Sequence, residues 1–187
     1  MRNFLLTAAL ACLAACASGP NVRADQDPTA DFSRYRSYGF VDQSGTDRAG
    51  YSTLVTTHFK NAIRREMDAR GFVYTEENPD LLVNFFTSMQ ERSDTRSTQG
   101  IFLGTQYYRN RFGAYTAWPL YSRDVETTNY QVGTASVDVV DAARKQLIWE
   151  GVAEGRITSE ARENPGAAIA SAVGDIFGKF PVKPRAP

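Results

Sequence analysis

Few side chains in this chain could do chemistry. Glu150 and Glu154 stand four residues apart in a stretch that reads as a strand, so both point to one face. Carboxylates paired across a bond are how many hydrolases divide acid and base work. Glu76, Glu77 and Asp80 gather in one turn and offer oxygen, the only ligand type that a calcium ion asks for. Asp138 and Asp141 lie near a hairpin turn. For each group the plainer reading is a solvated turn or the outward face of a strand. His58 is the sole histidine and lies beside the apolar stripe of a helix, where it reads as a core-edge residue rather than a base. Zinc sites need Cys and His in sets, and one His with two Cys does not supply one. The Gly-x-Ser-x-Gly elbow and the Gly-rich phosphate loop ending in Lys-Ser/Thr are both absent. The expectation is therefore a protein with no catalytic residue, no metal site and no cofactor. A hydrolase using Glu150 and Glu154 ranks last.

The stretch from Arg92 to Thr128 is the unusual one. It begins polar and then carries Phe102, Tyr107, Tyr108, Phe112, Tyr115, Trp118 and Tyr121, with Arg109 and Arg111 among them. Aromatic residues with arginine have the composition of interface anchors, and Trp and Tyr also gather at membrane interfaces. Tyr107, Tyr108, Arg109, Phe112, Tyr115 and Trp118 are the candidate partner-binding residues. The competing reading is that this long aromatic loop (92–128) folds back and covers the second face of the sheet. Part of it could instead extend the flanking strands into a long hairpin.

The N-terminus carries a different kind of chemistry. Arg2 is followed by an apolar run from Phe4 to Leu13, too short to cross a bilayer of about 30 Å as a helix. Leu13-Ala14-Ala15-Cys16 resembles the lipobox of bacterial lipoproteins. The resemblance implies a signal peptide over residues 1–15, lipidation of Cys16, and attachment to a membrane through this N-terminal lipid anchor. Ala17 follows Cys16 where an Asp tends to retain enteric lipoproteins in the inner membrane, so the expected location is the outer membrane, facing the periplasm. The alternative is an ordinary secretory signal cut near Ala15 or Ala17.

Bulk numbers narrow the classes further. Of 187 residues, 21 are basic and 21 acidic, and loss of Arg2 with the signal leaves one net negative charge. A nucleic-acid partner would need a basic footprint, so none is expected. Cys12 leaves with the signal and Cys16 is acylated, so the remaining chain has no thiol to pair. Residues 16–187 suffice for one domain with its own core.

The elements that would position these residues follow from periodicity. Residues 16–30 read as a tether, with Asn21-Val22-Arg23 as an optional edge strand. A strand is expected around Tyr38-Gly39-Phe40. Ser52–Arg70 is a helix with apolar residues at Val55, Phe59, Ala62, Ile63 and Met67, widened by Leu54 and stopped by Gly71. Phe72-Val73-Tyr74 and Leu81–Phe86 are strands, the latter apolar on both faces. Ala135–Val139 and Gln146–Glu154 form a hairpin around Ala142–Lys145. In its second strand Leu147, Trp149, Gly151 and Ala153 share a face, and the small residues let a helix approach. Asn164-Pro165 opens a last helix striped by Ile169, Ala172, Val173, Ile176, Phe177 and Phe180. Residues 182–187 are expected to be a disordered tail.

In this order, Ala30–Tyr38, Ala69-Arg70-Gly71-Phe72, Asn78–Val83, Ser136–Ala142, Leu147–Ala153 and Phe180-Pro181 resemble the bacterial lipoproteins grouped as domain of unknown function 4136. That resemblance carries no catalytic residues. The fold expected is α+β: one domain over 31–181, with a mostly antiparallel sheet of about five strands and two helices packed on one face. The first helix could make a crossover and leave a parallel pair. The function expected is a non-catalytic envelope module that binds another protein or a cell-wall component. The alternative is a small-ligand or lipid binder with an apolar pocket.

Overall fold

The structure, a computed structural model, describes residues 19–42, 44–47, 52–109, 111–112 and 115–185. Residues 1–15, expected as a signal peptide, and Cys16 lie outside the described residues. The chain divides into two units, one within Met1–Met89 and Val132–Pro187 (the body), the other Gln90–Gln131 (the ribbon).

The body is α+β. Its strands are β1 (Asn21–Gln26), β2 (Ser37–Phe40), β3 (Val73–Tyr74), β4 (Leu81–Arg109), β5 (Tyr115–Asp141) and β6 (Gln146–Arg156), with β4 and β5 continuing into the ribbon. Its helices are α1 (Leu54–Ala69), α2 (Ser159–Glu163) and α3 (Pro165–Phe177). The sheet order is β1-β6-β5-β4-β2-β3. β1 and β5 run antiparallel to β6, whereas β2 is parallel to both β3 and β4. The sheet is thus mixed and six-stranded, where about five mostly antiparallel strands were expected. The additional strand is β1, drawn from residues expected mainly as tether. The parallel pair β2–β3 is the crossover through α1.

Helix α1 begins where Thr53 Oγ1 accepts the Thr56 amide and ends at Gly71, whose φ of +83° favours a residue without Cβ. Phe59, Ala62, Ile63 and Met67 are buried, three or four apart as one face of a helix requires. Leu54 does not join that stripe and is exposed. Thr56 is buried instead, because its hydroxyl donates to Asp47 Oδ1 at 2.7 Å and pairs with Thr46 Oγ1 at 2.6 Å. Helix α3 starts with Asn164 Oδ1 accepting the Ala167 amide and Pro165 in the first turn.

Both long helices pack on one face of the sheet. Phe59 of α1 stacks on Phe85 of β4 at 5.1 Å, and Trp149 of β6 meets Phe177 at 5.9 Å and Phe180 at 4.9 Å. α3 reaches the sheet over Gly151, where an added Cβ would lie 2.5 Å from Ile176 Cγ2. A register shift between Val139 and Val140 interrupts the β5–β6 ladder. It buries Ile148 beside Trp149 and leaves Leu147, expected on the core face, exposed.

Two further expectations change. Residues 182–185 are held rather than free: Val182 O accepts Arg70 Nε at 2.9 Å, and the Arg185 amide donates to Ala69 O at 2.9 Å. Residues 92–109 and 115–128, expected as a loop with the option of a hairpin, are strand.

Candidate functional site

The sheet face opposite the helices bears the carboxylates. Glu150 lies in register with Asp25 of β1 on one side and Asp138 of β5 on the other. Directly opposed residues bring their Cβ atoms to about 4.5–5.5 Å, so Glu150 sits in a row of three acids. Burial raises the Asp138 carboxyl above the usual carboxylate range, and the charge of Glu150 adds to this. Hydrogen bonds from Ser136 and Asn84 oppose the shift. Glu154 is not part of this row, because it faces Asn21 and Thr134. Four residues of strand separate Glu150 from Glu154 by about 13 Å, beyond the roughly 5–9.5 Å of hydrolase carboxylate pairs. The expected pair is therefore not assembled. Among the described residues, no three His, Cys, Asp or Glu side chains converge to hold a metal ion.

Of the other acidic candidates, Asp80 and Asp141 hold backbone amides, whereas Glu76 Oε1 accepts Tyr74 Oη at 3.2 Å. Asp80 Oδ2 accepts the amides of Arg36 at 2.7 Å and Ser37 at 2.9 Å, and Ser37 Oγ accepts the Asp80 amide. These bonds hold the carboxyl of Asp80 below its usual range and tie the start of β2 to the start of β4. Asp141 accepts the Arg144 amide at 2.8 Å, Arg144 Nε at 2.8 Å and Tyr35 Oη at 2.8 Å. Its carboxyl is lowered to about 2, the Arg144 amide contributing most. Arg70, just past the end of α1, is buried. It donates to Glu66 Oε2 at 2.7 Å, Phe177 O at 2.8 Å and Val182 O at 2.9 Å. No local pattern announces either network, because Tyr35 and Asp141 are 106 residues apart and Arg70 and Phe177 are 107 apart. His58 is half-buried against Gly166 at the start of α3, a core-edge position.

An open depression of about 450 Å³ runs along β1 beside Trp149 and Lys179. Polar Arg23, Asp25 and Gln26 share its lining with Val22 and Ala24, so it is not the closed apolar cavity that a small-ligand binder calls for.

The ribbon is a two-stranded element. β4 and β5 are neighbours throughout the sheet order, and Thr95–Thr127 and Phe102–Tyr121 contacts fix an antiparallel sense. No described residue between 90 and 131 is buried. Ile101, Phe102 and Leu103 are 74%, 57% and 57% exposed. Consecutive strand residues point to opposite sides, so both faces of the ribbon present apolar side chains to solvent. Of the sequence candidates, Tyr107 and Arg109 lie exposed at the end of β4, and Phe112 is exposed in the turn under the Arg111 guanidinium, 5.0 Å from its ring centroid. Tyr108, Tyr115 and Trp118 belong to the same strands, with side chains outside the described set. A search of the sequence for aromatic residues passed over Ile101, Leu103 and Val125, which are also exposed in this segment.

Comparison with known proteins places the fold. The family model described as "Domain of unknown function (DUF4136)" matches residues 22–182. The solved structure of a PDZ domain protein from Parabacteroides distasonis is similar at 13% identity and TM-score 0.55, over 88% of this chain and 36% of that one. This chain thus spans about a third of that protein. A DUF4136 family protein from Bacteroides thetaiotaomicron is similar at 14% identity and TM-score 0.51, over 88% of this chain and 97% of that one. At such identities the likeness concerns the fold alone. No curated protein matches the chain.

Proposed function

This chain belongs to the family described as Domain of unknown function (DUF4136), and from that premise we propose that it is a lipid-anchored, non-catalytic module of the bacterial envelope whose ribbon is its contact element. The observation that carries this reading is the ribbon itself: exposed apolar residues on both faces and no buried residue among those described. Groups that serve no core are free to serve a partner. The lipobox-like Leu13–Cys16 supports anchoring through Cys16, and Ala17 supports an outer-membrane address facing the periplasm. The separation of Glu150 from Glu154 speaks against carboxylate hydrolysis.

Two measurements test the reading. In a bacterial host, radiolabelled palmitate is expected on the chain and lost in Cys16→Ser. Photocrosslinkers at Tyr107 and Phe112, read by mass spectrometry in cells, are expected to give discrete intermolecular adducts. An unlabelled wild-type chain, or crosslinks confined to the chain itself, would overturn the proposal.

A further inference from the structure

Charge is unevenly distributed along the ribbon, with Glu91, Asp94, Asp124 and Glu126 all near its root. From Thr95 to Arg123 there is no acidic residue, while Arg96, Arg109, Arg111 and Arg123 stand in that span. The chain as a whole is neutral, so a segment carrying four positive charges is balanced entirely by the rest. Its apolar members are exposed, as described above, and its sequence holds four tyrosines and one of the two tryptophans. Aromatic residues with arginine, in the acid-free outer part of a ribbon whose described apolar side chains are exposed on both faces, match the interface of an anionic bilayer. There Tyr and Trp settle at headgroup depth, and each arginine gains from the surface potential.

The body adds a second observation. Asn21 pairs with Glu154, and Glu154 pairs in turn with Thr134. The chain therefore enters the sheet at the end where β5 leaves the ribbon, at Val132 opposite Arg156. The first residue of β1 and the root of the ribbon thus lie at one end of the sheet. About five residues between Cys16 and Asn21 span at most roughly 17 Å, which keeps that end close to the surface in which a Cys16 lipid would sit.

We infer that residues 95–123 are a membrane-contacting element that seats its aromatic and aliphatic side chains in the headgroup region of an anionic phospholipid bilayer. This names the partner class of the ribbon and rests on the anchored reading only for proximity. The apolar side chains give up exposed area to the lipid, and the arginines pair with phosphate. Salt weakens the contact because the attraction is screened within a Debye length of about 8–10 Å at ordinary ionic strength.

The chain supplies its own reporter. Trp149 is buried in the body, and Trp118 is the only other tryptophan. The mature chain from Ala17, which has every strand and helix described but no lipid, is mixed with vesicles of phosphatidylethanolamine and phosphatidylglycerol bearing brominated acyl chains. Quenching and a blue shift of Trp118 emission are expected, both abolished in Trp118→Phe. Neutral phosphatidylcholine vesicles should bind far more weakly. Arg109→Ser with Arg111→Ser should lower the apparent affinity roughly thirtyfold, and 0.5 M salt should act in the same direction. No quenching at low salt, or quenching indifferent to both arginines, would overturn the inference. A protein adduct from Tyr107 in cells alongside that negative result would remove the bilayer and leave the contact role of the ribbon standing. An unlabelled Cys16 would overturn the anchored module proposed above and leave the vesicle result to decide this inference by itself.

Discussion

Gly151 offers the sharpest test of how the helices meet the sheet. A Cβ placed there would lie 2.5 Å from Ile176 Cγ2 and closer still to the indole edge of Trp149. Both neighbours are buried core groups, not flexible ends. In Gly151→Ala, the strand gains about 0.5–1 kcal/mol from reduced backbone freedom, while overpacking costs about 1–3 kcal/mol. Contacts this short with two buried core groups put the overpacking cost at about 2–3 kcal/mol, so the net loss expected is about 1–2.5 kcal/mol, which for a domain of this size lowers Tm by about 2–10 °C. Gly174 in α3 is the control. A Cβ there meets only Glu66 Oε1 at 3.8 Å, an ordinary contact, so Gly174→Ala should stabilise by up to about 1 kcal/mol, the helix-propensity difference. Urea unfolding, followed by Trp149 fluorescence in a Trp118→Phe background, reads both. Ile176→Ala supplies the second arm of a cycle: it removes the obstructing methyl, and the double variant should be more stable than the sum of the single losses by at least about 0.5 kcal/mol. A Gly151→Ala chain as stable as wild type, or additivity with Ile176→Ala, would refute the close approach of α3.

The remaining perturbations concern charges. Asp141→Asn should cost about 1–2 kcal/mol at neutral pH once solvent screening is allowed for. Because the folded carboxyl is lowered to about 2, its stabilisation is present above the unfolded value and lost as pH falls toward 2. The gap between wild type and variant in urea titrations should therefore close over that window. Asp138→Asn should act in the opposite direction. Its carboxyl is raised in the folded state, so ionisation opposes folding, and the variant should be more stable at pH 7 by up to about 1 kcal/mol. The advantage should shrink as acid protonates the wild-type group. Arg70→Ala should cost about 3–5 kcal/mol, because Glu66 loses its ion-pair partner and the Phe177 and Val182 carbonyls lose their donor. Arg70→Lys should fail to restore most of this in chemical denaturation, since one ammonium does not span three acceptors on separate segments.

The elements with a clear period were legible in the sequence. The stripes of α1 and α3, the Gly71 stop, the Asn164-Pro165 start and the small residues under α3 all follow from local rules, and the structure places them as those rules require. The bulge was not legible: Leu147 and Ile148 are chemically alike, and only the β5 partner decides which of them turns inward. Leu54 and Thr56 exchanged expected places because a buried threonine needs a distant partner, here Asp47, that periodicity does not reveal. β1 was only half visible. Its residues are almost all exposed or half-buried, and its place in the sheet comes from backbone pairing with β6. The neighbours of the carboxylates were hidden for a related reason. Spacing along one strand put Glu150 with Glu154, whereas register across strands puts it with Asp138 and Asp25.

Residues 92–128 resisted sequence reading because they break the rule that apolar residues mark a core. Every buried hydrophobic residue described lies in the body, and none lies between 90 and 131. A lone two-stranded ribbon is at best marginally stable in water, and exposed apolar strands invite aggregation. Folding of the body therefore gives no reason for Ile101, Phe102 and Leu103 to stand in succession, nor for acids to be missing from 95–123. Both features raise the free energy of the isolated chain in water, and both lower it at a surface that is apolar within and anionic outside. The proposed membrane contact would account for the composition of the ribbon, just as the composition of the helices is accounted for by what they bury.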